Sequence, residues 1–247
     1  MNAEVSVEGG VARIFLNRPE KSNALNSVFL NLLCQEIEGL SKDGTLCVAV
    51  LAGRGRAFCG GADVKELSQL NAGNAGAFVE KIHRVCQAIR ALPVPVVARL
   101  HGAVIGAGLE IAAACDLRIA AKGTRFAMPE VRLGIPSVVE AALLPRLMGS
   151  GRAAWLVLTG EAIDADRARE WGLVEEIHPL ATLDEGVERI VKGLLSAGPD
   201  VLRAQKRLLQ LWDEAPLATS VAQSIEAFSR SIAGGNTISS RLKGKKD

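Results

Sequence analysis

Two stretches of the chain, "LCVAVLAG" (46–53) and "PVVARLHG" (95–102), are apolar almost without interruption. A strand with one face in water alternates apolar and polar residues, whereas a continuous apolar run fits a strand covered on both faces. Both runs therefore predict strands of a parallel or mixed sheet with helices packed on it. Helical patterns lie between them. "SVFLNLLCQEIEGL" offers an apolar stripe of Val28, Leu32, Leu33, Ile37 and Leu40, and "GAFVEKIHRVCQAIRAL" is ended by Pro93. "EVSVEGGVARIFLN" reads as a hairpin around Gly9-Gly10, and "LRIAA" as a further strand. The strands come in pairs before several helices. The fold class is thus α/β with a repeating strand–strand–helix rhythm, not a doubly wound sheet. From about residue 180 the pattern changes to three amphipathic helices. The chain divides into a core, 1–185, and a helical region, 186–247, of the kind that packs on another subunit.

Composition excludes several function classes. With 29 basic and 27 acidic residues the formal charge is +2, which leaves no electrostatic footprint for nucleic acid or an anionic membrane. Aromatic residues are only 4%, so no stacking platform accompanies a lysine stripe. The basic end "RLKGKKD" (241–247) reads as a solvated tail. Five cysteines without a CxxC pair fit a reduced, cytoplasmic chain, and three histidines show no zinc-ligand spacing. No uncharged apolar run reaches membrane-spanning length, and the first residues resemble neither a signal nor a transit peptide.

Three segments can carry chemistry. In "RAFCGGADVKEL" (56–67), Gly60 and Gly61 permit a close backbone approach, and Asp63 is placed to cap a short helix running through Lys65. The N–H of Ala62 then faces an anion or polarised oxygen, or the stretch is simply a tight loop before a helix. In "HGAVIGAGLEIAAACD" (101–116), Gly102, Gly106 and Gly108 shape the entry to a helix over roughly 106–115. Its first turn presents the N–H groups of Ala107 and Gly108, or Gly108 merely lets the helix pack on the sheet. Glu110 stands inside this apolar run, where an unpaired carboxylate is costly. It needs a partner or a cavity. In "FAMPEVRLGIPSVVEAALLPRLMG" (126–149), Glu130 follows Pro129 among apolar residues, and Glu140 lies in a helix beginning near Ser137. Two donor-presenting turns with two carboxylates match an oxyanion hole and an acid/base pair.

"NRPEKSNALN" (17–26), "AFCGGADVKEL" (57–67), "HGAVIGAGLEIAAACDLRIA" (101–120) and "FAMPEVRLGIP" (126–136) resemble, in order and spacing, the enoyl-CoA hydratase/isomerase (crotonase) superfamily. The resemblance covers nearly the whole chain. It implies a spiral of strand–strand–helix units, a C-terminal helical region that makes trimers or hexamers, and acyl-CoA thioester substrates. No separate cofactor is implied, since coenzyme A enters as part of the substrate. Ala62 and Ala107 would donate their backbone N–H groups to the thioester oxygen. Ala24, Leu25, Ala62, Asp63, Val64 and Lys65 would line the CoA groove, with Lys65 reaching a phosphate or standing free in solvent. Glu110 and Glu130 fall on the two hydratase carboxylates. Water addition across the C2=C3 bond of a trans-2-enoyl-CoA is therefore expected. A 3-enoyl/2-enoyl isomerase, which needs one base, and a non-catalytic CoA-ester-binding protein are the rivals. The chain departs from the pattern after Pro136, where "SVVEAALL" replaces the family's small "GAGG"-like turn and adds Glu140 near the acyl end. "LGIP" is one residue short, and the C-terminal end lacks the family's Glu-Gly motif and terminal Phe.

Overall fold

The computed structural model describes residues 2–233. Strands β1 (Asn2–Glu8) and β2 (Val11–Asn17) form an antiparallel hairpin across Gly9 and Gly10, both at positive φ, as a tight two-residue turn requires. Helix α1 (Ser27–Leu40) starts where the Asn26 side chain accepts the N–H of Phe29. β3 (Val48–Gly53) leads through an extended turn to α2 (Val64–Leu67) and α3 (Ala75–Ala91). β4 (Val96–Leu100), β5 (Ala103–Ile105) and α4 (Ala107–Ala114) make the next unit, followed by β6 (Leu117–Ala121) and β7 (Arg125–Ala127). Two 3-10 turns, Glu130–Leu133 and Val139–Leu143, precede α5 (Leu144–Met148), α6 (Ser150–Thr159), β8 (Ile163–Asp164), α7 (Ala165–Glu170) and β9 (Glu176–His178). The chain continues through α8 (Leu183–Ala197), α9 (Pro199–Glu214) and α10 (Leu217–Ala233). No described helix is long and apolar enough to cross a membrane.

The strands make a large sheet in the order β1-β2-β3-β4-β6-β9 and a small one in the order β5-β7-β8. Apart from the first hairpin, every pairing in the large sheet is parallel. Single bridges, Cys59 to Val104 and Leu25 to Ala62, continue the small sheet back through the earlier units. Each turn of the chain thus gives one segment to the large sheet and the next to the small one, which is the spiral rhythm expected.

Both faces of the large sheet are covered, as the continuous apolar runs require. Ala49, Leu51, Val96, Ala98 and Leu100 face a core shared with α1, α3 and α4. Val48, Val50, Val97 and Ile119 face the other way, onto Leu183, Val187 and Val191 of α8. Helix α8 is therefore a layer of the core. The boundary expected at 185 falls inside it, and the peripheral helices begin with α9. In α1 the buried side chains are Phe29, Leu30, Leu33, Cys34, Ile37 and Leu40, whereas Val28 and Leu32 are 57% and 36% exposed. The expected stripe is rotated by about one position. The basic tail 241–247 lies outside the described residues.

Leu183 is fully buried against the sheet. Leu183→Ala is expected to cost about 2–5 kcal/mol in urea unfolding, as core truncations do. A loss below about 1 kcal/mol would place α8 outside the cooperative core.

Candidate active site

The turn after β3 is wedged between two other segments. On one side Phe58 and Cys59 donate their N–H groups to the carbonyls of His101 and Ala103, and Cys59 accepts from Ile105. On the other side Gly60 donates to Ser22, Leu25 donates to Gly61, and Asp63 donates to Leu25. In this parallel pairing Leu25 uses both of its main-chain groups, so the N–H of Ala62, which lies opposite, points away from it. It points to the side occupied by 103–107. Gly61, at φ +95°, is in close contact there: a Cβ would lie 2.9 Å from the Ile105 carbonyl and 4.0 Å from the Ala107 nitrogen.

Ala107 opens α4, where helix geometry offers its N–H no acceptor within the helix. Gly106, at φ 52° and ψ −123°, makes the entry, and its N–H is held by the Ala127 carbonyl. A Cβ on Gly106 would lie 2.4 Å from Oε1 of Glu130. The Glu130 carboxylate therefore rests on the backbone at the start of α4, and its other oxygen accepts a 2.9 Å hydrogen bond from Ser137 Oγ.

Glu110 lies in the first turn of α4 and is 5% exposed. Burial pushes its pKa up to about 8, helped by the negative charges of Glu130 and Glu140, while the Ala141 backbone N–H pulls the other way. The sequence thus put a carboxylate in an apolar helix because the site gathers acids around it, not because it has a cationic partner. Glu140, in the second 3-10 turn, is also buried. Its Oε1 meets His83 Nδ1 at 2.8 Å and accepts from Gln87 Nε2 at 3.3 Å, both from α3.

The structure brings Ala62, Ala107, Glu110 and Glu130 to one place. The groove residues behave differently from one another. Val64 and Lys65 are exposed beside the turn, and Ala24 is half-buried with its carbonyl held by Arg18. Asp63 is buried, paired with Arg18 at 2.6 Å, and caps α2 through the Lys65 N–H. Leu25 is fully buried with both main-chain groups paired. Leu25 and Asp63 are thus both turned inward, away from solvent. Among the described residues no cluster of three or more His, Cys, Asp or Glu side chains is arranged to hold a metal ion.

Sequence reasoning passed over Asn23, whose buried amide donates to the carbonyls of Arg54, Ala57 and Phe58 and whose Oδ1 accepts from the Arg18 N–H. It fixes the base of the 56–62 turn. Its φ is +56°, a conformation Asn tolerates better than most residues, so the available signal was the Asn itself within a polar turn. It also passed over Ser137, His83 and Gln87, whose partners are distant in sequence or carry no periodicity.

A carboxyl group with a raised folded pKa binds its proton more tightly when folded. Its contribution is complete below the unfolded value of 4.5 and declines as pH rises toward 8. Glu110→Gln is therefore expected to unfold at higher urea than the wild type, with the gap widening from pH 5 to pH 8. A gap that stays constant with pH would show that Glu110 titrates normally.

The family model for enoyl-CoA hydratase/isomerase matches residues 6–240. The chain is 33% identical over 229 residues to the short-chain-enoyl-CoA hydratase of Clostridium acetobutylicum, across 92% of this chain and 88% of that one. It is 32% identical over 225 residues to the 2,3-dehydroadipyl-CoA hydratase of Escherichia coli, across 91% and 88%. The crystal structure of an enoyl-CoA hydratase from Bacillus anthracis matches with a TM-score of 0.91 at 32% identity, covering 99% of this chain and 94% of that one. By this match of sequence and architecture, the chain belongs to the enoyl-CoA hydratase/isomerase family and has the crotonase fold.

Proposed function

We propose that the protein is an enoyl-CoA hydratase, adding water across the C2=C3 bond of a trans-2-enoyl-CoA. The observation that carries this reading is the meeting of Glu110 and Glu130 at the first turn of α4, beside the N–H groups of Ala62 and Ala107. The thioester carbonyl lies between those two N–H groups. As water adds at C3, negative charge grows on the thioester oxygen, and fixed donors at a helix start stabilise it without reorganising. Glu110 orients the water and takes its proton. Glu130, held by Ser137, delivers a proton to C2. An isomerase needs a single base, so the presence of both acids supports hydration. It also speaks against a purely binding role, since a scaffold has no need of a buried carboxylate with a raised pKa. Coenzyme A comes with the substrate, along the groove past Ala24, Val64 and Lys65.

Mixing with crotonyl-CoA tests the reading. The enoyl absorbance falls and the product gains the mass of one water, whereas isomerisation leaves the mass unchanged. Glu110→Gln and Glu130→Gln are each expected to slow hydration by about 10²–10⁴-fold. Because Glu110 must be ionised to take the proton, kcat/KM rises with pH up to about 8. Undiminished turnover in either variant removes that residue from the scheme.

We further propose that the protein works as a trimer, or a hexamer of paired trimers, joined through its last helices. Leu217, Val221, Ile225, Phe228 and Ile232 form an exposed apolar stripe along α10, with Leu209 and Trp212 of α9 also exposed. Such a patch is unusual on a monomer. Light scattering is expected to give three or six times the 26.0 kDa chain mass. A monomeric mass contradicts it.

A further inference from the structure

Glu140 has no role in the reaction as proposed, yet its side chain is only 6% exposed and its Oε2 is buried with no hydrogen-bond partner in the protein. Leaving a buried carboxylate oxygen without a partner is costly. His83 and Gln87 hold only Oε1. The residue next in sequence, Ala141, donates its N–H to the Val138 carbonyl and lies near Glu110, and the charge of Glu140 is felt at Glu110. The Cys86 thiol lies beside the same two carboxylates, near Glu140 but forming no hydrogen bond to its Oε2, and is pushed well above its usual range, by burial first, then by the charges of Glu140 and Glu110 and by its closeness to the Glu140 carboxylate. The backbone just before Glu140 is forced: Val139 has φ +41°, which a β-branched residue seldom adopts. The groups gathered at this corner are thus Glu110, Cys86, His83 and Gln87.

We propose that Glu140 is a specificity-determining residue whose free carboxylate oxygen accepts a hydrogen bond from a hydroxyl or similar donor on the acyl chain, just beyond the double bond. This rests on the reading of the site as one that binds an enoyl-CoA. Since Glu110 handles the water at C3, the residue beside it meets the next part of the chain. A donor there satisfies Oε2. A plain alkyl group leaves it unpaired, and an acyl chain ending in a carboxylate meets three acids in a site shielded from water.

Binding of saturated CoA esters, measured by calorimetry, separates this from the hydration chemistry. The wild type is expected to bind 4-hydroxybutyryl-CoA about 10- to 100-fold more tightly than butyryl-CoA, and glutaryl-CoA more weakly than either. Glu140→Ala brings the hydroxylated and plain esters together. Glu140→Gln, nearly isosteric and still an acceptor, keeps part of the hydroxyl preference while relieving the rejection of glutaryl-CoA. Circular dichroism checks that each variant folds. Equal hydroxybutyryl-to-butyryl ratios in wild type and both variants, with crotonyl-CoA hydration intact, overturn the role of Glu140 alone. The expected ratios without any hydration of crotonyl-CoA overturn the hydratase reading alone. No binding of any ester overturns both.

Discussion

Successive turns of this chain approach so closely that one crossing has no room for a side chain. A Cβ on Gly102 would lie 2.0 Å from the Arg56 carbonyl, and Gly102 itself sits at φ +61°. That contact lets the segment after β3 lie directly against the segment after β4, joined by the Phe58–His101, Cys59–Ala103 and Ile105–Cys59 hydrogen bonds. Everything at the site follows from this approach. With the two segments in register, Ala62 at the end of one and Ala107 at the start of α4 come side by side, and their N–H groups are fixed by backbone pairing instead of by side-chain rotamers. A larger residue at 102 pushes the two segments apart and uncouples the donors. The same logic recurs at Gly106, where a missing Cβ lets a carboxylate rest on the helix entry.

The electrostatics then follow from packing. Helix α4 is buried along its entire length, so any charge it carries is dehydrated. The helix dipole and the exposed N–H groups at its start favour negative charge at that end. Glu130 stands at that entry. Glu110 lies in the same first turn, but burial and the neighbouring acids outweigh that help, so its proton is held more tightly. The result is a buried carboxyl group that loses its proton well above the usual carboxylate range.

Much of this was legible beforehand because it depends on local sequence. Continuous apolar runs mark the two-sided sheet, and the glycines of "CGGA" and "GAVIGAG" mark the close approaches. Even the odd carboxylate at 110 announced a site where acids gather. What escaped depends on partners remote in sequence. The burial of Val28 and Leu32 was misjudged because neighbouring stripes on one helix differ by a single rotation, and only the packed sheet chooses between them. Helix α8 read as an appendage because its amphipathic pattern does not say what its apolar face covers. Leu25 and Asp63 looked like groove residues because the motif places them near a ligand, but the pairing of 25 with 61–63 turns them inward. The Glu140 corner is assembled from α3 and a 3-10 turn more than fifty residues apart.

The peripheral helices show how a chain can attach an element without spending its apolar surface. Helix α9 is held largely by cations reaching main-chain carbonyls. Lys206, 3% exposed, donates to Ile89 and Val94 and pairs with Asp116, and Arg203 donates to Asp43, Gly44 and Leu46. Ile89 lies in the last turn of α3, where the helix dipole favours positive charge. A buried lysine is tolerable there because three oxygens replace its water. Since polar contacts do the anchoring, the apolar residues of α9 and α10 are left facing outward. The composition that made this region look detached from the core is therefore what leaves its hydrophobic stripe facing outward.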